Sequence, residues 1–141
     1  MRKLDYPPLW LLVCVFVAWS FQGPLPEIFW PGVSLLIVAA WITIASLAAF
    51  RRARTTIIPH QKPAALITDG IYRFSRNPIY LADVMILLGV SLIWGSALGL
   101  MLTPALALVL DKRFIKPEEA RLEAAFGAAF DEYRARVRKW I

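Results

Sequence analysis

The sequence predicts an all-α fold: a polytopic membrane helical bundle of four transmembrane helices, with a C-terminal amphipathic helix on the cytosolic side. Three observations carry that reading. Hydrophobic residues make up 59% of the 141-residue chain, above the roughly 45–50% of soluble domains. Charged residues gather in blocks that flank long apolar runs. The excess of Lys and Arg, a net charge of +6, falls on one side of the implied topology, as the cytoplasmic bias of membrane proteins requires. The length suits a single domain, residues 1–141.

The first span is placed over about 9–22. Its apolar run, LWLLVCVFVAWSF, is short for a crossing of about 20 residues, but a helix can begin at Pro7-Pro8 and lean on local bilayer thinning. Trp10 and Trp19 near its ends suit the interfacial aromatic belt. A cleaved signal peptide ending near Ala18-Trp19-Ser20 is the competing reading, supported by the short run alone. Gly23, Pro24, Pro26, Pro31 and Gly32 then mark a turn. That turn lacks Lys and Arg, which makes it the outer loop.

The second span, about 33–50, has no charge, and its Ser34, Thr43 and Ser46 can hydrogen-bond within the helix or to a neighbour. A basic connector over 51–69 follows, with Arg51, Arg52, Arg54 and Lys62 against Asp69. Pro59 and Pro63 forbid one long helix through it. Pro78 opens the third span, about 79–94, at the position where its missing N–H is harmless. Asp83 interrupts that span. Gly95-Ser96 makes a tight turn into the fourth span, about 97–113, where Pro104 predicts a kink. The last helix covers about 117–139. Leu122, Phe126, Phe130, Tyr133, Val137 and Trp140 recur at helical intervals along one face of it. Acids lead and bases close, which complements the helix dipole. Such a helix lies against the membrane or the bundle. Both termini are then cytoplasmic, in a multi-pass protein of a bacterial-type inner membrane.

Several function classes fall away. Cys14 and His60 are the only residues of their types, so neither an internal disulfide nor a metal centre is predicted. The basic residues sit at helix ends and do not form the single stripe of a nucleic-acid footprint. Gly89, Gly95 and Gly99 do not form a dinucleotide fingerprint.

The chemistry concentrates over 70–83, GIYRFSRNPIYLAD. Arg73 and Arg76 are either positive-inside anchors or holders of a carboxylate. Asp83 lies about 7 Å into its helix, on the face shared by Tyr80 and Arg76. An acid at that depth pairs, faces a wet cavity or is protonated. A structural ion pair and a functional role both remain open for it. Glu118 and Glu119 are either first-turn acids favoured by the dipole, or ligands for a cation or for amino and hydroxyl groups. His60 reads as a connector residue, Cys14 as packing, and Trp140 as an interfacial anchor.

These residues carry a family resemblance. Gly70-Ile71-Tyr72-Arg73-Phe74-Ser75-Arg76-Asn77-Pro78-Ile79-Tyr80 resembles the motif G-x-Y/F-R-x-x-R-H/N-P-x-Y of the isoprenylcysteine carboxyl methyltransferase-like membrane methyltransferases. Glu118-Glu119-Ala120-Arg121-Leu122 resembles their E-E-x-x-L, and phospholipid methyltransferases share a similar glutamate pair. Phe126-Gly127, Tyr133 and Arg138-Lys139-Trp140 resemble the family's tail. The resemblance covers about 55–141.

The resemblance implies an S-adenosylmethionine-dependent methyltransferase whose cofactor sits at the cytosolic side, under the C-terminal helix. Lipophilic acceptors would enter from the bilayer, so membrane lipid is an expected partner, while nucleic acid and metal are not. Carried over residue by residue, cofactor contacts fall on Tyr72, Arg73, Arg76, Asn77, Pro78, Tyr80, Glu118, Glu119 and Leu122. Catalytic roles are expected of Arg76 and Glu119 and, outside the motifs, of Asp83 as a candidate base. Arg73 or Arg76 suits the cofactor carboxylate, Glu118 or Glu119 its ribose hydroxyls or amino group, and Tyr72 and Tyr80 adenine or acceptor packing.

Asn77 stands where the eukaryotic motif has histidine. It can hydrogen-bond but cannot titrate. The acceptor that the resemblance implies is a lipophilic or small molecule bearing a carboxylate, thiol or amine. A carboxylate needs only positioning. A thiol or amine must lose a proton, with Glu119 or Asp83 as base. Two rivals from other classes are a four-span proton-coupled transporter using Asp83 and a non-enzymatic membrane subunit whose tail binds a partner helix.

Overall fold

The computed structural model describes residues 6–54 and 65–141, and every regular element among them is helical. In chain order these are α1 (Pro7–Ser20), α2 (Phe29–Ala53), a 3₁₀ turn (Gly70–Arg73), α3 (Pro78–Ile93), α4 (Ala97–Leu110), a π-helical segment (Asp111–Ile115), α5 (Lys116–Phe126) and α6 (Ala128–Arg136). Proline sets several of the starts. Pro7 and Pro8 open α1, Pro78 opens α3, and Pro117 lies in the first turn of α5. The first N–H groups of a helix have no helical acceptor, so proline loses nothing there. Ser96 caps α4 by accepting from the Gly99 N–H at 3.2 Å, and its hydroxyl donates to the Phe21 carbonyl at 2.8 Å.

Helix α3 is the centre. It packs against α2 on one side and against α1 and α4 on the others. Small residues allow this. A Cβ on Gly32 of α2 would come within 2.7 Å of the Gly89 carbonyl oxygen of α3. A Cβ on Gly99 of α4 would collide with the Ser91 hydroxyl and lie 2.7 Å from the Ala18 Cβ. Ser46, Ser91 and Thr103 are buried, and each donates its hydroxyl to a carbonyl one turn back, at 2.8, 2.6 and 3.0 Å. Their polarity is therefore satisfied inside their own helices. At the far end, Gly23 and Leu25 donate their N–H groups to the Trp94 and Gly95 carbonyls at 3.0 and 3.1 Å, so the α1–α2 loop is pinned onto the α3–α4 turn. Gly95 has φ 58°, and a side chain there would strike the Leu25 carbonyl.

The outward faces are apolar. Leu9, Leu12, Val13 and Phe16 on α1, Ile37, Trp41 and Ile44 on α2, and Met101 and Leu108 on α4 are exposed. Their intervals of three, four and seven make one stripe per helix. Among the described residues α3 contributes none, because the other helices enclose it. Helix α2, with 25 residues, is the one described helix long and apolar enough to cross a membrane; α1 and α3 are shorter apolar helices.

Several boundaries differ from the sequence reading. Helix α2 starts at Phe29 and takes in Pro31 and Gly32, expected in the turn, because proline in a first turn gives up only an N–H that has no helical acceptor. It runs on through Arg51 and Arg52 to Ala53. Periodicity over 117–139 suggests one helix, but α5 and α6 meet at Gly127, whose φ 49° and ψ −122° suit only glycine. Leu122, Phe126, Phe130, Tyr133 and Val137 still gather with Ala49, Phe50, Ile67 and Tyr72. Trp140 lies beyond α6, where helical periodicity has lapsed, and joins Tyr80, Leu110 and Phe114 instead. The fourth span, expected over 97–113, runs as α-helix only to Leu110. The Lys116 N–H then bonds to the Asp111 carbonyl, the wide register of a π-turn. Pro117 accounts for the widening, since its ring would otherwise press on the carbonyl four residues back.

Candidate functional site

The site forms where the N-terminal end of α3 meets α5 and the residues after α6. Gly70, with φ 57°, starts the 3₁₀ turn. The turn buries Tyr72 edge-on against Phe50, centroids 5.9 Å apart at 90°, and leaves Arg73 and Phe74 exposed. Tyr133 of α6 donates its hydroxyl to the Tyr72 carbonyl at 2.7 Å. Burial pushes the Tyr72 phenol well above its ordinary value, and the nearby Glu118 charge adds to this. Burial also raises the Tyr133 phenol, with Arg76 opposing and Glu119 reinforcing. Both phenols are therefore neutral donors at ordinary pH and cannot serve as bases.

Arg76 is the most connected side chain. Its Nε donates to Glu119 Oε1 at 3.1 Å, and its Nη2 lies 2.8 Å from the same oxygen. Its Nη1 donates to the carbonyls of Arg134 and Val137, both at 3.1 Å. The Arg76 backbone N–H donates to the Arg138 carbonyl at 3.1 Å. On either side of it, Ser75 Oγ and Asn77 Nδ2 both donate to the Lys139 carbonyl, at 3.4 and 3.2 Å. Lys139 Nζ reaches Asp111 Oδ1 of the π segment at 2.8 Å, and Lys116 stands 3.8 Å from the other Asp111 oxygen.

One turn into α3, Tyr80 donates its hydroxyl to Glu118 Oε2 at 2.9 Å and stacks on Phe114, centroids 6.4 Å apart at 26°. Asp83 follows one turn deeper. It is half-buried, and its side chain forms no hydrogen bond or ion pair among the described residues.

The structure thus joins Tyr80 to Glu118, joins Arg76 to Glu119, and ties Asn77 to the chain's end. Pro78 is buried at the α3 start, and Leu122 packs in the cluster of Tyr72. Arg73 stands apart at the surface. His60 lies outside the described residues. Ser75, Asp111, Tyr133 and Lys139 are site neighbours absent from the sequence-derived set. For Ser75 and Lys139 most contacts run through backbone carbonyls, which leave no mark on the sequence. Among the described residues no group of three or more His, Cys, Asp or Glu is placed to hold a metal ion.

The apolar helical bundle thus places paired acids opposite arginine and tyrosine at its charged end. Comparison with known proteins agrees on which class of protein this is. The sequence pattern of the phospholipid methyltransferase family matches residues 28–129. One relative, the protein-S-isoprenylcysteine O-methyltransferase of Schizosaccharomyces pombe (strain 972 / ATCC 24843), is 37% identical over 79 residues, covering 54% of this chain and 32% of the relative. The match therefore spans about a third of that relative's length. No solved structure matches. The chain belongs to the phospholipid methyltransferase family, and the reaction class that goes with it is methyl transfer.

Proposed function

We propose that the chain is an S-adenosylmethionine-dependent methyltransferase acting at the cytosolic membrane face on a lipophilic or small acceptor that presents a carboxylate, thiol or amine. The observation that carries this is the convergence of Tyr80 and Arg76 from α3 on Glu118 and Glu119 from α5, inside the segment that matches the family.

The residues suit the group. S-adenosylmethionine supplies, when bound, a methyl group made electrophilic by its sulfonium. Glu118 offers a carboxylate, oriented by Tyr80, to amino or ribose hydroxyl donors. Tyr72, Tyr80 and Leu122 offer aromatic and apolar packing. Arg73 is exposed and stands apart from the Arg76–Glu119 and Tyr80–Glu118 pairs, so it would meet a ligand carboxylate only at the surface. Arg76, Asn77, Pro78 and Glu119 line the same end of α3 and α5. The protein's part in such a displacement is to align donor and acceptor and to exclude water. Asp83 lies deeper along α3, toward the apolar interior, and would take the proton of a thiol or amine acceptor.

The outward apolar stripes support a membrane arrangement. In water, three helices would expose apolar faces at once; in lipid those faces are solvated. At 1.5 Å per residue α3 reaches about 24 Å, short of a bilayer core of about 30 Å, so α1, α3 and α4 would cross with local thinning. Arg51, Arg52, Arg73, Lys112 and Arg113 sit at the ends of α2, α3 and α4 that would face the cytosol, with Arg113 stacked 5.3 Å over the Trp10 ring. Four spans with both termini cytoplasmic satisfy that placement.

Calorimetric titration of the detergent-purified chain tests the reading. Micromolar binding of S-adenosylmethionine is expected, with loss in Glu118→Ala. Incubation of labelled S-adenosylmethionine with a membrane extract should then yield a labelled lipophilic product. A chain that binds no S-adenosylmethionine refutes it.

A further inference from the structure

We propose that Arg76 is a positioning residue that fixes Glu119 and the strap 134–139 and grips no ligand. The adjacent glutamates thereby divide, Glu119 into the frame and Glu118 toward the ligand. The inference rests on the methyltransferase reading and assigns roles within that site.

Guanidinium geometry carries it. Arginine has five N–H donors, and a bidentate grip on a carboxylate needs two parallel ones along one edge. The Nε–Nη2 edge of Arg76 is closed by Glu119 Oε1, at 3.1 and 2.8 Å. Both Nη1 donors are spent on the Arg134 and Val137 carbonyls. No edge is left with two donors for a ligand. The side chain is only 9% exposed, which gives little room for exchange.

What Arg76 holds is also telling. The Arg134 and Val137 carbonyls lie at the C-terminal end of α6, where carbonyls lack helical donors and favour a cation. Ser75, the Arg76 N–H and Asn77 continue the same clasp to Lys139 and Arg138. Trp140 comes next in the chain and packs in the cluster that contains Tyr80 and Phe114. Arg76 therefore sets both where Glu119 stands and where the strap ends, beside the Tyr80–Glu118 pair.

The test uses the full chain in detergent, with Arg76→Gln, Glu119→Gln and Glu118→Gln. Two readouts are taken: affinity for S-adenosylmethionine and for its decarboxylated analogue, and the rate of trypsin cleavage after Arg134, Arg136, Arg138 and Lys139. Arg76→Gln should weaken both nucleosides by a common factor of about ten or more and should speed cleavage of the strap. Glu119→Gln, which keeps its volume and an acceptor oxygen, should do the same more mildly. Glu118→Gln should weaken both nucleosides while the strap stays protected. If Arg76→Gln weakens only the carboxylate-bearing nucleoside and leaves the strap protected, Arg76 grips the ligand and the proposal fails. If the unaltered chain binds neither nucleoside, the methyltransferase reading falls, and an unchanged cleavage rate in Arg76→Gln still refutes the strap.

Discussion

Replacing Tyr80 by Phe removes one hydroxyl and almost nothing else. The ring keeps its volume and its stacking on Phe114 at 6.4 Å. What disappears is the 2.9 Å hydrogen bond to Glu118, in a side chain that is 8% exposed. A hydrogen bond to a charged group contributes about 1.5–3 kcal/mol. At 1.4 kcal/mol per tenfold, that corresponds to roughly a 10- to 100-fold loss of affinity for a ligand that needs Glu118 in place. Titration calorimetry with S-adenosylmethionine measures the loss. A double-mutant cycle of Tyr80→Phe with Glu118→Gln isolates its origin: the coupling between them should exceed about 1 kcal/mol, well beyond the 0.3–0.5 kcal/mol within which independent sites add. Additive effects in that cycle would refute the claim that Tyr80 acts by orienting Glu118.

Gly99→Val should lower the thermal midpoint in detergent by forcing a branched side chain onto Ser91 and Ala18, a loss of at least 1–3 kcal/mol by the usual magnitude of overpacking. Asp83→Asn should leave S-adenosylmethionine affinity unchanged while slowing turnover on a thiol or amine acceptor, read from initial rates with labelled donor; an unchanged rate on such an acceptor removes Asp83 as base. Stability should also fall in alkali. Tyr72 and Tyr133 start from an ordinary value of 10.0 and are raised in the fold. Above pH 10 the unfolded chain therefore loses phenol protons that the folded chain keeps. The stability is full below pH 10 and declines as pH rises, by about 1.4 kcal/mol per pH unit for each phenol. Denaturation midpoints across that range, compared with Tyr133→Phe, measure the slope, which should be shallower in the variant.

Much of the bundle was legible because its signals are local. Uncharged runs and prolines mark α1 to α4, and both properties are read one residue at a time. The break at Gly127 was hidden, since an interior glycine is tolerated in a helix and the apolar spacing continues through it. The site was legible by composition but not by role. Arg73 and Arg76 are equivalent as letters. The 3₁₀ turn ends at one and leaves it in solvent, whereas the other lies under the strap. Glu118 and Glu119 are neighbours in sequence, yet successive helical positions point about 100° apart, so one meets Tyr80 and the other Arg76. The strap itself is held largely through carbonyls of Arg134, Val137, Arg138 and Lys139, groups that every residue possesses.

The unbroken passage from α4 through the π segment into α5 works like a keyed shaft. Relative to a plain α-helix, a π-turn amounts to one inserted residue, and each residue corresponds to about 100° of rotation. Asp111–Ile115 thus sets the azimuth at which α5 leaves the bundle. Were that segment rewound to regular α-helix by losing one residue, the acids would swing about a quarter turn away from α3, with every side chain of the site still present in the sequence.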